Sequence, residues 1–124
     1  MTYEELLPIL EKNGLFCEEL TKDKRCLYVY SRSAMVNNTD NRNVLAVLDF
    51  SYEDSKLEEI QFYSNFYITK DGIATEDNIT VDWADDGFYE EITPEKVDKK
   101  FQQMTLRIKT LAERAKLKRI KNDF

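Results

Sequence analysis

The densest group of chemically capable residues lies between Glu76 and Glu91, where the sequence reads EDNITVDWADDGFYEE. Seven of these sixteen residues are acidic and none is basic. Carboxylates at this density can bind a metal ion, imitate a nucleic-acid backbone, or keep a surface loop in water. The residue types around them separate these three uses.

A calcium loop fails at two ligand positions. We align Gly87 with the sharp-turn glycine of such a loop. The first three ligand positions then fall on Asp82, Ala84 and Asp86, and the position of the bidentate glutamate falls on Thr93. Ala84 has no side-chain oxygen and Thr93 has no carboxylate, so the sequence predicts no metal site here. The sequence also indicates no cofactor.

The side chains that most enzymes use are missing from the composition. The chain has no histidine, which excludes serine–histidine and cysteine–histidine catalysis and histidine zinc sites. Cys17 and Cys26 cannot complete a thiolate zinc site, and we expect both to be reduced. Asp49, in the apolar run VLAVLDF, is the best candidate for a carboxyl group with a perturbed pKa. The favoured alternative is that Asp49 lies at the end of a strand, where it is solvated or paired with an arginine or lysine. The sequence predicts a protein that is not an enzyme.

Mimicry of nucleic acid is the functional interpretation that remains for the acidic stretch. An extended chain rises about 3.3 Å per residue, close to the spacing of about 3.4 Å between charges along one DNA strand. Aromatic residues between the acids could anchor a partner. The predicted partner-binding residues are Glu76, Asp77, Asp82, Asp85, Asp86, Phe88, Tyr89, Glu90 and Glu91. A second acidic cluster comprises Glu53, Asp54, Glu58 and Glu59. The alternative is a solvated edge with Trp83 in the core.

The charge of the chain is divided between a body and a tail of opposite sign. Residues 1–95 hold 21 acids and 8 bases, whereas residues 96–124 hold 3 acids and 10 bases. An alternative, basic surface comprises Arg114, Lys116, Lys118, Arg119 and Lys121, which could contact phosphates or complement the helix dipole. Direct nucleic-acid binding is disfavoured because the acidic body would repel a phosphate backbone.

Local patterns predict a helix at each end of the chain. Thr2 and Glu5 form a capping box, and Asn13-Gly14 is a helix stop. Pro8 is expected to bend the first helix or to mark the start of its regular part. The second helix is predicted over residues 94–120, with Thr93 as its N-cap. Its apolar stripe comprises Val97, Phe101, Met104, Ile108, Leu111 and Ala115. Leu106 and Leu117 lie on the opposite face, where a partner or a second copy, as in a homodimer, could cover them.

Strand patterns occupy the region between the helices. Strands are predicted at Cys26–Tyr30, at the central run Val44–Phe50, over the long alternation Ile60–Ile68 and at Ile79–Trp83, with a weak candidate at Leu15–Leu20. A strong twist or bulge is expected near Ser64-Asn65, and Asp71-Gly72 indicates a hairpin. The predicted class is α+β: a short N-terminal helix, about five mostly antiparallel strands, and a long C-terminal helix packed on one sheet face. Residues 1–124 are expected to form a single domain.

These features predict a cytoplasmic binding protein without a membrane segment. In its small size, acidity and lack of histidine the chain resembles accessory proteins that phages carry to block host defence, including anti-CRISPR proteins. The resemblance implies an inhibitor that acts through an acidic surface on a basic protein, such as a defence nuclease. Two alternatives are an immunity or antitoxin protein for a basic nuclease toxin, and a nucleic-acid-binding or self-assembling protein that uses the basic helix.

Overall fold

The computed structural model describes residues 1–33, 44–63, 66–69, 72–75 and 92–122, with the side chains of Thr75 and residues 119–122 excepted. The elements are α1 (Tyr3–Lys12), β1 (Leu15–Cys17), β2 (Cys26–Ser31), β3 (Ala46–Phe50), β4 (Leu57–Phe62), β5 (Phe66–Thr69), β6 (Gly72–Thr75) and α2 (Pro94–Asn122). The first four strands form an antiparallel sheet in the order β1-β2-β3-β4, and β5 pairs with β6 in a separate two-stranded sheet. The α+β class is confirmed, with β3 central as predicted.

Helix α1 begins and ends where the sequence indicates. The Thr2 hydroxyl accepts the Glu5 N–H at 3.2 Å, and the Glu5 carboxylate accepts the Thr2 N–H at 2.9 Å, which completes the capping box. Gly14 takes a positive φ of 68°, so the chain reverses and β1 starts at the next residue. The helix continues through Pro8, which is exposed. Because proline has no N–H, the carbonyl group one turn earlier loses its partner within the helix, and at an exposed position water can donate to it instead.

The core lies between one face of the four-stranded sheet and the two helices. Leu27, Leu48 and Phe62 supply the sheet side of this core, and α2 packs against it through the predicted stripe. The rings of Phe62 and Phe101 meet edge to face with their centroids 5.1 Å apart. Val97, Phe101, Met104 and Ile108 are buried, and Leu111 is partly buried against the same cluster.

The predicted long strand from Ile60 to Ile68 is wrong. The chain instead forms β4 and β5, which belong to different sheets, and Ser64-Asn65 lies outside the described residues. Alternation alone cannot separate one long strand from two short ones, because side chains alternate in the same way in both. The described residues therefore hold six strands. The predicted strand at Ile79–Trp83 also lies outside them.

Candidate functional site

The acidic surface predicted from the sequence is not among the described residues. Its members are Glu76, Asp77, Asp82, Asp85, Asp86, Phe88, Tyr89, Glu90 and Glu91, all within the interval 76–91. Their arrangement stays a prediction. The second acidic cluster, in contrast, lies on β4 and on the turn that precedes it, so its geometry can be stated.

The outer face of the four-stranded sheet carries the side chains that alternate with the core positions. The strand register places Asp49 beside both Cys26 and Glu59 in one row across the sheet. A second row sets Val47 between Tyr28 and Gln61. The Tyr28 side chain is 38% exposed, so this face offers aromatic surface next to carboxylates.

A β-bulge brings two glutamates to the surface side by side. Asp49 pairs with Glu59 but Phe50 pairs with Leu57, so Glu58 is an extra residue on β4. Glu58 and Glu59 are both exposed, although neighbours on a regular strand would point to opposite faces. The bulge thus adds a carboxylate to the outer side of the sheet.

The turn between β3 and β4 extends this cluster. Glu53 and Asp54 are both exposed, and Ser55 holds the tight turn with a φ of 58°. The N–H of Lys56 donates to Asp54 at 3.0 Å, and this hydrogen bond lowers the pKa of that carboxyl group. We call Asp49, Glu53, Asp54, Glu58 and Glu59 the acidic hairpin surface. Among the described residues the ion pairs are Lys12–Asp98 and Lys24–Glu18, so none of these five carboxylates forms an ion pair there. Glu59 accepts a hydrogen bond from the Gln61 amide at 3.3 Å.

An exposed aromatic residue lies inside the same hairpin. Tyr52 is 73% exposed, and the Arg25 guanidinium lies 5.4 Å from the centroid of its ring. Arg25 also donates to the Ser55 hydroxyl at 2.9 Å, so its guanidinium contacts both the tyrosine ring and the turn. Tyr52 is therefore held beside the carboxylates by a cation–π contact.

The sequence contained a signal for this surface that periodicity rules overlook. Two adjacent glutamates inside the apolar alternation of Leu57, Ile60 and Phe62 break the period of two, which indicates a bulge. The sequence predicts a cluster of four acids, Glu53, Asp54, Glu58 and Glu59, but it presents Asp49 only as a lone carboxyl group. Its register with Glu59 depends on strand pairing that the sequence does not display.

The two thiols have little nucleophilic character. Burial raises the pKa of Cys17 to about 11. Partial burial, together with the neighbouring Asp49 carboxylate, raises the pKa of Cys26. Both are free and protonated at neutral pH, and the thiolate is the reactive form. Within the described part of the chain, no three Cys, Asp or Glu side chains converge as metal ligands would.

The predicted basic surface lies at the end of α2. Arg114, Lys116 and Lys118 are exposed, whereas only the backbone of Arg119 and Lys121 is described, as part of the helix. An open groove of about 530 Å³ runs between α2 and the residues Tyr63 and Phe66. The surface of the molecule therefore presents carboxylates on the β3–β4 hairpin and cations along the C-terminal helix.

Comparisons with protein-family models, curated protein sequences and solved structures returned no match. Neither of the helices described above has the combination of length and apolar character that would let it cross a lipid bilayer.

Proposed function

We propose that this chain is a non-enzymatic binding protein that inhibits a nucleic-acid-handling protein through an acidic surface, as phage-encoded anti-defence proteins of the anti-CRISPR kind do. The observation that carries the proposal is the acidic hairpin surface: five carboxylates on one β-hairpin, none of them in an ion pair among the described residues, together with the exposed Tyr52. Like charges placed opposite each other, such as Asp49 and Glu59, destabilise a sheet. Their presence in one row on the outer face of the sheet is therefore consistent with a use in binding.

A partner that binds nucleic acid supplies the complementary chemistry. Its groove is lined by lysine and arginine, which attract carboxylates at a distance and raise the association rate. Charge alone gives modest affinity, so a buried anchor is also needed. Tyr52 fits this role because tyrosines are enriched at interface centres. The carboxylates of residues 76–91 are the second candidate for this role, predicted from the sequence.

The proposal is tested by reversing the charge of the hairpin. The triple variant Glu53→Lys, Glu58→Lys, Glu59→Lys should bind a purified nucleic-acid-guided nuclease at least about tenfold more weakly than the wild-type chain, and with a smaller salt dependence. Calorimetric titration at several salt concentrations measures both quantities. The matched control, Glu11→Lys, Glu19→Lys, Asp23→Lys, makes the same charge change at exposed positions away from the hairpin and should change affinity less.

A second triple variant separates the two acidic regions. Asp82→Lys, Asp85→Lys, Asp86→Lys reports on the sequence-predicted surface in the same titration. If both acidic variants keep wild-type affinity and salt dependence, the acidic-surface mechanism is wrong. Binding to a basic nuclease toxin in place of a guided nuclease would favour the immunity-protein alternative, in which the electrostatic argument is the same and the partner differs.

A further inference from the structure

Helix α2 carries a second line of residues opposite its buried stripe. Exposed residues recur at alternating spacings of three and four, which is the periodicity of a helix that packs along another helix. We call them the outer seam: Gln103, Leu106, Thr110, Glu113 and Leu117. Leu106 is 65% and Leu117 is 59% exposed. The Thr110 hydroxyl donates its hydrogen to the Leu106 carbonyl at 3.0 Å, which leaves its methyl group and its acceptor oxygen for a partner.

Basic residues flank the outer seam on both sides. Lys100, Arg107 and Arg114 lie seven residues apart along one side, and Lys109 and Lys116 lie seven apart along the other. Residues 99–118 hold seven bases and a single acid, Glu113. In a helix pair, residues at these flanking positions face the flanks of the partner helix and select it by charge.

The groove beside α2 provides room along one of these flanks. Tyr63 and Phe66 form the wall opposite the helix, and Met104 and Leu111 contribute apolar surface. Arg107 and Arg114 line the same groove and are exposed. A helix laid along α2 would therefore meet apolar contacts and cations together, which is the arrangement of a helix-in-groove site.

A second copy of this helix is a poor occupant. In a parallel pair, Lys109 of one copy would face Arg114 of the other, and in an antiparallel pair each flank would face itself. Both arrangements place cations against cations, which costs interface stability. A nucleic acid is also disfavoured, because phosphates would leave the exposed side chains of Leu106 and Leu117 without apolar partners.

We propose that the outer seam of α2 docks an acidic amphipathic helix of a partner protein. The partner helix places leucine or isoleucine against Leu106 and Leu117 and glutamates against the two basic flanks. Glu113, the one acid in the seam, selects a lysine or arginine opposite it and so sets the register, as single polar seam residues do in helix pairs. This site is separate from the acidic hairpin surface and would serve a different region of the same partner or another protein.

The test uses a fluorescein-labelled synthetic helix of about three heptads, titrated into the full chain by fluorescence anisotropy. Its seam carries leucines and one lysine placed opposite Glu113, and both of its flanks carry glutamates. A twin peptide with lysines in place of the glutamates is the charge control. The chain should bind the acidic peptide and not the basic one. Arg107→Glu with Arg114→Glu should weaken binding by about tenfold or more, and Leu106→Ser with Leu117→Ser should do so as well.

The matched variant Lys22→Glu with Lys118→Glu makes the same charge change outside the seam and its flanks, and should retain most of the affinity. Equal loss in this variant, equal binding of both peptides, or no binding at low salt would overturn the proposal. Tight binding of a labelled oligonucleotide would also overturn the proposal if the arginine substitutions weaken it and the leucine substitutions do not, because that pattern identifies a polyanion site. Light scattering that shows a dimer abolished by the leucine pair would assign the seam to self-association instead.

Discussion

At the scale of single residues, Asp98 links the two helices through polar contacts. Its carboxylate accepts the Lys12 ammonium at 2.6 Å and the Asn13 amide at 3.0 Å. Asn13 also donates to the Ile9 carbonyl at 2.8 Å, so the end of α1 is tied to the first turns of α2. The Lys12 side chain is 60% exposed, and the pair is therefore partly screened by water.

Replacing Asp98 by asparagine should lower the free energy of unfolding by about 1 kcal/mol at neutral pH. The bonds from Lys12 and Asn13 lower the pKa of Asp98 in the folded chain. The stabilisation is then complete above the unfolded value of about 3.9 and is lost as pH falls through the lower folded pKa. Urea unfolding should show a wild-type advantage at pH 7 that shrinks below about pH 4. Asp23→Asn, at an exposed loop position, is the control, and an advantage that does not depend on pH would contradict this account.

At the scale of elements, α2 has two apolar faces with different roles. Phe101 is fully buried against Phe62, whereas Leu106, five residues later, is mostly exposed. The difference arises because helical periodicity directs the two side chains to nearly opposite sides. One face holds the fold together, and the other is available to a partner.

The two faces should respond differently to truncation. Phe101→Ala should lower the free energy of unfolding by about 3 to 5 kcal/mol, because it leaves a cavity beneath the sheet. Leu106→Ala should change it by less than about 0.5 kcal/mol, because it removes a group that water already reaches. Chemical denaturation of both variants measures the contrast, and a similar loss in the two would mean that Leu106 is covered in the folded chain.

At the scale of the whole molecule, the two sheets are unequal. The four-stranded sheet has two inner strands and contributes most of the core, while β5 and β6 form a hairpin that packs on α2. A two-stranded hairpin is marginally stable by itself and depends on what it packs against. Ile73 and Ala74 are buried, which anchors this hairpin to the rest of the molecule.

The rates of backbone hydrogen exchange should therefore differ between the two sheets. Backbone amides of β2 and β3 should exchange most slowly, near the rate set by global unfolding, and those of β5 and β6 should exchange faster through local opening. Mass spectrometry of peptic fragments or NMR would measure these rates. Equal protection in both sheets would show that the hairpin opens only with the whole fold.

Features set by neighbouring residues were predictable from the sequence. The capping box of Thr2 and Glu5, the stop at Gly14 and the N-cap at Thr93, whose hydroxyl accepts the Lys96 N–H at 3.3 Å, are each formed within a few residues. The buried stripe of α2 and the strands β2 and β3 follow from periodicity in the same way. These predictions are confirmed because the interactions behind them are local.

The tertiary structure decided which strands belong together and which carboxylates share a surface. The separation of β4 from β5, the bulge at Glu58 and the register of Asp49 with Glu59 depend on pairing between distant segments. Local pattern does not encode such pairing, because alternate registers of a strand present the same alternation. By itself the sequence determined the helices, the core stripe and the uneven charge. Long-range pairing then placed five of its carboxylates on one hairpin and left the outer face of α2 uncovered by the described residues.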